Sequence, residues 1–314
     1  MSELRKQQRS VLALGMFDGV HGGHQALVRQ AADLAHRLGA QTVAFTFTDA
    51  PGKLLGLPVP CHQSVTCLST PDQRIQWLME AGADRVDMVD FTRDFADLSP
   101  EDFVAYLQER YHIAALAAGF NYTFGKYGAG TADTLRALGA AHGFEVLIAD
   151  PVLVDGTPVS STRIRACIAA GDMEAAEALL GRPYTLSGQV VSARHIGHAL
   201  GYPTANVETG EQLLPPDGVY ATLALVDGIE RPAVTNVGKN PTVAGKQRTV
   251  ETYVLHGEPS LYGTELSVSF LARLREERTF ASLDALAEQI GRDVAAAKKL
   301  FDSGKKTVYN PKGL

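Results

Sequence analysis

The sequence predicts an α/β domain built on a parallel sheet, followed by a small antiparallel β-barrel domain that ends in a C-terminal helix. Three observations predict this. Apolar runs alternate with amphipathic stretches through the first half, β-rich runs separated by glycine, proline and asparagine replace them after Leu180-Gly181-Arg182-Pro183, and helical spacing returns near the end. A domain boundary near Pro183 follows, giving 1–183 and 184–314. The length of 314 residues agrees, since a domain commonly holds roughly 100–200.

The first apolar run covers residues 11–14, and Leu27, Ala31, Leu34, Ala35 and Leu38 then recur at helical spacing until Gly39 supplies a stop. A second run at 42–47 completes a strand-helix-strand unit, whose parallel strands need a right-handed crossover. Helical patterns near 71–81, 100–110 and 131–142 alternate with strands near 86–89, 113–118 and 144–148. Ser99-Pro100-Glu101-Asp102 is a helix start with cap, proline and early acidic residues in order. In the second half, strands at 220–226 and 229–234 flank Asp227-Gly228, a strong hairpin signal, and 250–255 and 266–271 continue the β character of a closed barrel. Leu283, Leu286, Ala287, Ile290, Val294 and Ala297 place one helix over 282–301, packed on the barrel.

Between the first strand and its helix lies GMFDGVHGGH, residues 15–24. A loop there sits at the carboxyl ends of parallel strands, where open α/β sheets bind ligands and a helix N-terminus favours phosphate. Gly15, Gly19, Gly22 and Gly23 fit neither the dinucleotide fingerprint nor the P-loop, and no lysine follows. His21 and His24, three apart, can instead face one spot at the first helical turn and donate hydrogen bonds to a triphosphate and to departing pyrophosphate.

Gly15, Phe17, Asp18, Gly19, His21, Gly23 and His24 resemble the G-x-F-D-G-x-H-x-G-H loop of the nucleotidyltransferase superfamily in its flavin adenylyltransferase form. The resemblance implies a Rossmann-like nucleotidyltransferase domain, with His21 and His24 catalytic and the rest of the loop on ATP. VSSTRIR at 159–165 resembles the I-S-S-T-x-x-R signature of the same superfamily. By itself it reads as a helix cap, but Arg163 and Arg165 add cations beside the hydroxyls of Ser160, Ser161 and Thr162. Arg163 is then a further catalytic candidate, and Ser160, Ser161, Thr162 and Arg165 hold phosphate. GFNYTFGKYGAG at 119–130 looks like the flavin-side segment, with Asn121, Tyr122 and Phe124 as flavin contacts; Asn121 stands where many members carry aspartate.

LGYPTANV, PPDGVYA, NVGKNPTV, VETYVL and LYG then follow in an order that resembles a bacterial riboflavin kinase domain. The whole chain is thus similar to bifunctional riboflavin kinase/FAD synthetases. That implies riboflavin, FMN, FAD and ATP as partners, Mg²⁺ as cofactor with Thr204 and Asn206 at the metal and phosphate site, and Glu251 as catalytic base. Family members place a glycine- and arginine-rich flap before P-T-A-N. Here Gly197 and His198 belong to it, with His195 and Ala193 replacing expected glycines and His198 near an expected arginine, so the kinase is expected to be measurable but slow. Thr48-Asp49-Ala50-Pro51 likewise replaces a more usual histidine-proline pair. Two other readings are an adenylyltransferase whose barrel binds flavin but phosphorylates weakly, and a flavin-responsive regulatory protein without catalysis.

A net charge of −6 and pI near 5.9 argue against nucleic-acid and acidic-membrane binding, which call for a basic footprint. Cys61, Cys67 and Cys167 show no paired spacing and read as free thiols. With no signal peptide or long apolar span, the chain is expected to be soluble and cytoplasmic.

Overall fold

The computed structural model describes residues 8–49, 66–191, 201–242, 245–255 and 261–303. The chain divides into two compact units, Met1–Thr162 and Arg163–Leu314.

In the first unit β1 (Arg9–Leu14), β2 (Gln41–Phe47), β3 (Arg85–Val89), β4 (His112–Gly119) and β5 (Glu145–Ala149) form one sheet of order β3-β2-β1-β4-β5. Every neighbouring pair is parallel. The helices are α1 (Gly22–Leu38), α2 (Pro71–Glu80), the short α3 (Arg93–Ala96), α4 (Pro100–Arg110) and α5 (Ala132–His142). Strands β1, β2 and β4 are apolar without alternation because both faces are covered. Val11, Ala13 and Ala44 face α1 and α2, while Leu12, Leu14, Val43 and Phe45 face the opposite core with Phe103 and Leu107 of α4. Caps set the helix starts: Thr70 and Gln73 form a reciprocal capping box on α2, Ser99 caps α4, and Thr131, expected inside its helix, is the cap of α5. The strand order reverses beside β1. The crevice at the carboxyl ends of β1 and β4 is therefore the topological switch point, flanked by the loops that follow those two strands.

The second unit holds most of α6 (Ser161–Ala170), then α7 (Met173–Leu180) and a closed barrel. Its strands are β8 (Tyr184–Val191), β9 (Ala205–Glu208), β10 (Gly218–Val226), β11 (Ile229–Thr242), β12 (Gly245–Val254) and β13 (Glu265–Glu276), numbered after a two-stranded ribbon, β6 (Leu153–Val154) and β7 (Thr157–Pro158), in the first unit. They close in the order β10-β11-β12-β9-β8-β13. Asp227 and Gly228 both have positive φ, 53° and 75°, the paired left-handed turn that an Asp-Gly hairpin needs. Inside the barrel Thr222, Thr235 and Thr252 pass hydroxyl hydrogen bonds at 2.8 and 3.0 Å, so three buried polar groups satisfy one another. Outside, α8 (Leu283–Asp302) lays Ala297 and Phe301 on Val219, Ala221 and Leu223, and Arg275 forks onto Asp293 at 2.8–3.0 Å.

The packing division falls at Thr162/Arg163, ahead of the change in sequence texture at Pro183, because α7 packs on β8 and β13. The barrel itself begins with β8 at Tyr184. A β-carbon at Gly188 would run into the Glu208 carbonyl on β9. Gly188→Ala is expected to destabilise the barrel by about 1–3 kcal/mol, as overpacking does, and to lower its melting temperature in calorimetry.

Candidate active sites

The sheet site is built around a loop under strain. After β1, Phe17 and Val20 hold positive φ of 52° and 35° and Gly19 holds 76°. Such angles are unusual for a bulky ring and more so for a β-branched residue, and they persist only where the surroundings fix them. Both side chains are fully buried. The Gly15 N–H donates to Phe45 O at 3.3 Å, the Val20 N–H to Phe17 O at 3.0 Å, and the Thr46 hydroxyl to Met16 O at 2.9 Å. A β-carbon at Gly15 would come within 2.9 Å of the Phe17 ring and one at Gly23 within 3.2 Å of His21, so both glycines admit a ring beside the backbone.

His21 caps α1: its Nδ1 accepts the His24 N–H at 3.3 Å. An accepting Nδ1 carries no proton, so the neutral ring keeps its hydrogen on Nε2 and offers a donor there. The His24 ring lies parallel to that of His21, with centroids 3.6 Å apart, and meets Phe17 edge-on at 5.2 Å. Two imidazoles are thus held together at the start of a helix at the switch point. Asp18, expected among the phosphate contacts, is held by the protein itself. Its carboxylate accepts the Leu68 N–H at 2.9 and 3.1 Å and the Ser69 hydroxyl at 3.3 Å, so it braces the loop from within.

Ser161 donates its hydroxyl to Asp18 O at 3.1 Å, bringing the second motif onto the first. Ser160 precedes α6, Thr162 lies in its first turn, and Arg163 and Arg165 follow on the same helix. On the far side of the switch point, the segment after β4 turns back through the Tyr122 N–H to Gly119 O, at 3.0 Å, and the Phe124–Gly130 bridge. Asn121 is exposed and Tyr122 half-buried, while burial pushes the Tyr122 phenol up from its usual value. Phe124, expected as a flavin contact, is buried in the core beside that segment. Its ring packs on Phe103 at 5.4 Å and stacks beside Tyr122 at 5.9 Å, so what it offers is support for Tyr122.

In the barrel, Asn206 of β9 and Asn236 of β11 both stand opposite Glu251 of β12. Directly paired residues share a face of a sheet, so two amide side chains flank one carboxylate. Val250 and Thr252 are buried inward; Glu251 and Tyr253 take the other face. Burial pushes the Glu251 carboxyl above its usual value, the Thr249 hydroxyl at 3.4 Å opposes that, and the Glu277 carboxylate adds to it. Glu277 lies in the notch left by Gly238, where a β-carbon would collide with it. Tyr202, two residues before Thr204, packs edge-on to Tyr253 at 5.4 Å, and its hydroxyl lies where a β-carbon at Gly291 of α8 would meet it at 3.4 Å.

Glu277 and Ser69 were not singled out by sequence reasoning, and Asn236 entered only as the first residue of NVGKNPTV, with no role assigned. A barrel register would have pointed to Asn236, but no local signal marks the other two. Gly197 and His198, with the rest of the altered flap to Leu200, lie outside the described residues, as do Ala50, Pro51, Cys61 and residues 304–314. Cys67 and Cys167 stand outside any disulfide. Among the described residues no helix is long and apolar enough to cross a membrane, and no three His, Cys, Asp or Glu side chains gather as a metal cluster.

Comparison with known proteins accounts for both halves. A family model described as FAD synthetase matches residues 3–163, and one described as riboflavin kinase matches 180–301. A bifunctional riboflavin kinase/FMN adenylyltransferase of Listeria monocytogenes is 35% identical over 93% of this chain and 92% of its own. That of Escherichia coli is 34% identical over 94% of each. A crystal structure from Streptococcus pneumoniae, described as a macrolide-efflux protein, superposes with TM-score 0.83 at 32% identity, covering 93% of this chain and 95% of that one. Sheet and barrel match in one order and over almost the full length, so this chain belongs to the family of bifunctional riboflavin kinase/FMN adenylyltransferases.

Proposed function

We propose that this chain phosphorylates riboflavin to FMN at its barrel and adenylylates FMN to FAD at its sheet, releasing pyrophosphate. The observation that carries the reading is that the motif residues of each half meet within that half: His21 stacks on His24 at the switch point, and Asn206 stands opposite Glu251 in the barrel. Full-length likeness to bifunctional relatives favours this over an adenylyltransferase with an idle barrel or a regulatory protein. Incubating the protein with riboflavin, ATP and Mg²⁺ and separating the flavins by chromatography tests it; FMN and FAD must both accumulate.

At the sheet, an FMN phosphate oxygen attacks the α-phosphorus of ATP. The His21 Nε2–H and the His24 imidazole donate to charge on the triphosphate, and the α1 N-terminus adds its dipole. Gly15, Phe17, Gly19 and Gly23 shape the backbone there, and Ser160, Ser161, Thr162 and Arg165 join the grip on phosphate. Tyr122 and Asn121 stand on the flavin side. Arg163→Ala is expected to raise KM for ATP in FAD formation by about tenfold, the loss of roughly 1.4 kcal/mol of binding, while FMN still binds. Steady-state kinetics with FMN titration checks it, and equal loss of FMN binding would point to damaged folding.

At the barrel, Glu251 takes the proton from the riboflavin primary hydroxyl as that oxygen attacks the γ-phosphorus and ADP departs with the bridging oxygen. Thr204 and Asn206 offer the hard oxygen donors that suit Mg²⁺, and the pairing of Asn206 with Glu251 puts one of them beside the base. Mg²⁺ when bound would neutralise phosphate charge. The functional boundary belongs near Pro183, where the barrel begins. A cytoplasmic location fits a reaction fed by ATP.

A further inference from the structure

We infer that Ser69 is a positioning residue for adenylyl transfer, acting through Asp18 and Gly19 on the histidine loop; this rests on the adenylyltransferase reading above. Ser69 lies outside both adenylyltransferase motifs and fifty positions from the loop, and its side chain is 1% exposed. Its hydroxyl makes two bonds there: it accepts the Gly19 N–H at 3.0 Å and donates to Asp18 Oδ1 at 3.3 Å. The neighbouring Leu68 N–H binds the same carboxylate, and Thr70 then begins α2 through its capping box. Residues 68–70 therefore form a strap between the start of α2 and the middle of the loop.

The strap matters because the loop does not hold its shape unaided. Phe17 and Val20 flank the strapped pair, and both sit at positive φ without being glycine. Strain of that kind relaxes when a constraint is lost. Without the Ser69 hydroxyl the buried link from the Gly19 N–H to the Asp18 carboxylate is broken, and the constraint it places on the middle of the loop is lost. His21 and His24 begin one residue beyond Val20, so that relaxation is passed to the two rings. A displacement of about 1 Å at a catalytic group commonly costs on the order of 10²-fold in rate.

The test compares the two reactions of one polypeptide. Ser69→Ala is expected to lower kcat for FAD formation from FMN by about 10- to 100-fold, leaving riboflavin phosphorylation within about twofold of wild type. Ser69→Thr, which keeps the hydroxyl, should recover most of the loss. Combined with His24→Ala, Ser69→Ala should add little further loss, because both changes act on the same rings. Ser69→Cys, similar in size but a weak hydrogen-bonding group, replaces Ser69→Ala if that variant does not fold, with the same expectation. Undiminished FAD formation in a folded variant overturns the inference, as does parallel loss of both reactions, or multiplication of the two losses in the double variant. A wild-type protein that makes no FAD defeats the underlying reading instead.

Discussion

His24→Ala is expected to cut FAD formation from FMN by about 10²-fold or more and to leave FMN formation from riboflavin intact. The size follows from what the imidazole does: a donor fixed before the reaction meets charge as pyrophosphate leaves, without having to reorganise. Fixation is visible in the parallel stack on His21 and the edge contact with Phe17. The substitution is clean because the cap of α1 uses the His24 backbone N–H and the His21 ring, so the helix start survives loss of the His24 side chain. Separate initial rates with FMN and with riboflavin decide it. An unchanged FAD rate in a folded variant would remove the loop from the chemistry.

Much of this site was legible because its signals are local. The strand, the turn and the helix around 15–24 follow from apolar spacing and from Gly39 at the left-handed C-cap of α1. The hairpin follows from Asp227-Gly228, and α8 from its apolar stripe. What stayed hidden is nonlocal. The role of Asp18 depends on Leu68 and Ser69, which reach it only once α2 has packed beside the sheet. Phe124 looks like a binding aromatic in sequence, yet the Phe124–Gly130 bridge folds its ring into the core against Phe103. The Asn206–Glu251–Asn236 row exists only in the register of a closed barrel, which no single strand encodes. α7 carries little local signal because it is one short helix between two glycines, and its packing on β8 and β13 appears only in the folded chain.

The barrel gives the second large effect. Glu251→Gln is expected to lower kcat for riboflavin phosphorylation by about 10²- to 10⁴-fold, the range for loss of a general base, with FAD formation from FMN unchanged. Glutamine keeps the shape of the side chain and an oxygen for the Thr249 hydroxyl, but it cannot take a proton from the primary alcohol. Stability should move the other way. Burial, with Glu277 adding to it, holds the Glu251 carboxyl above its usual value, which means that the charged form is less well accommodated in the folded barrel than in water. A neutral amide removes that penalty, so the melting temperature should stay level or rise while the kinase is lost. This opposition separates a catalytic role from a structural one, since a residue needed only for packing would lose both together. A Glu251→Gln enzyme as fast as wild type refutes the assigned base. A wild-type chain that makes FAD from FMN but no FMN from riboflavin would show instead that the barrel, with His195 and His198 in its flap, binds flavin without phosphorylating it.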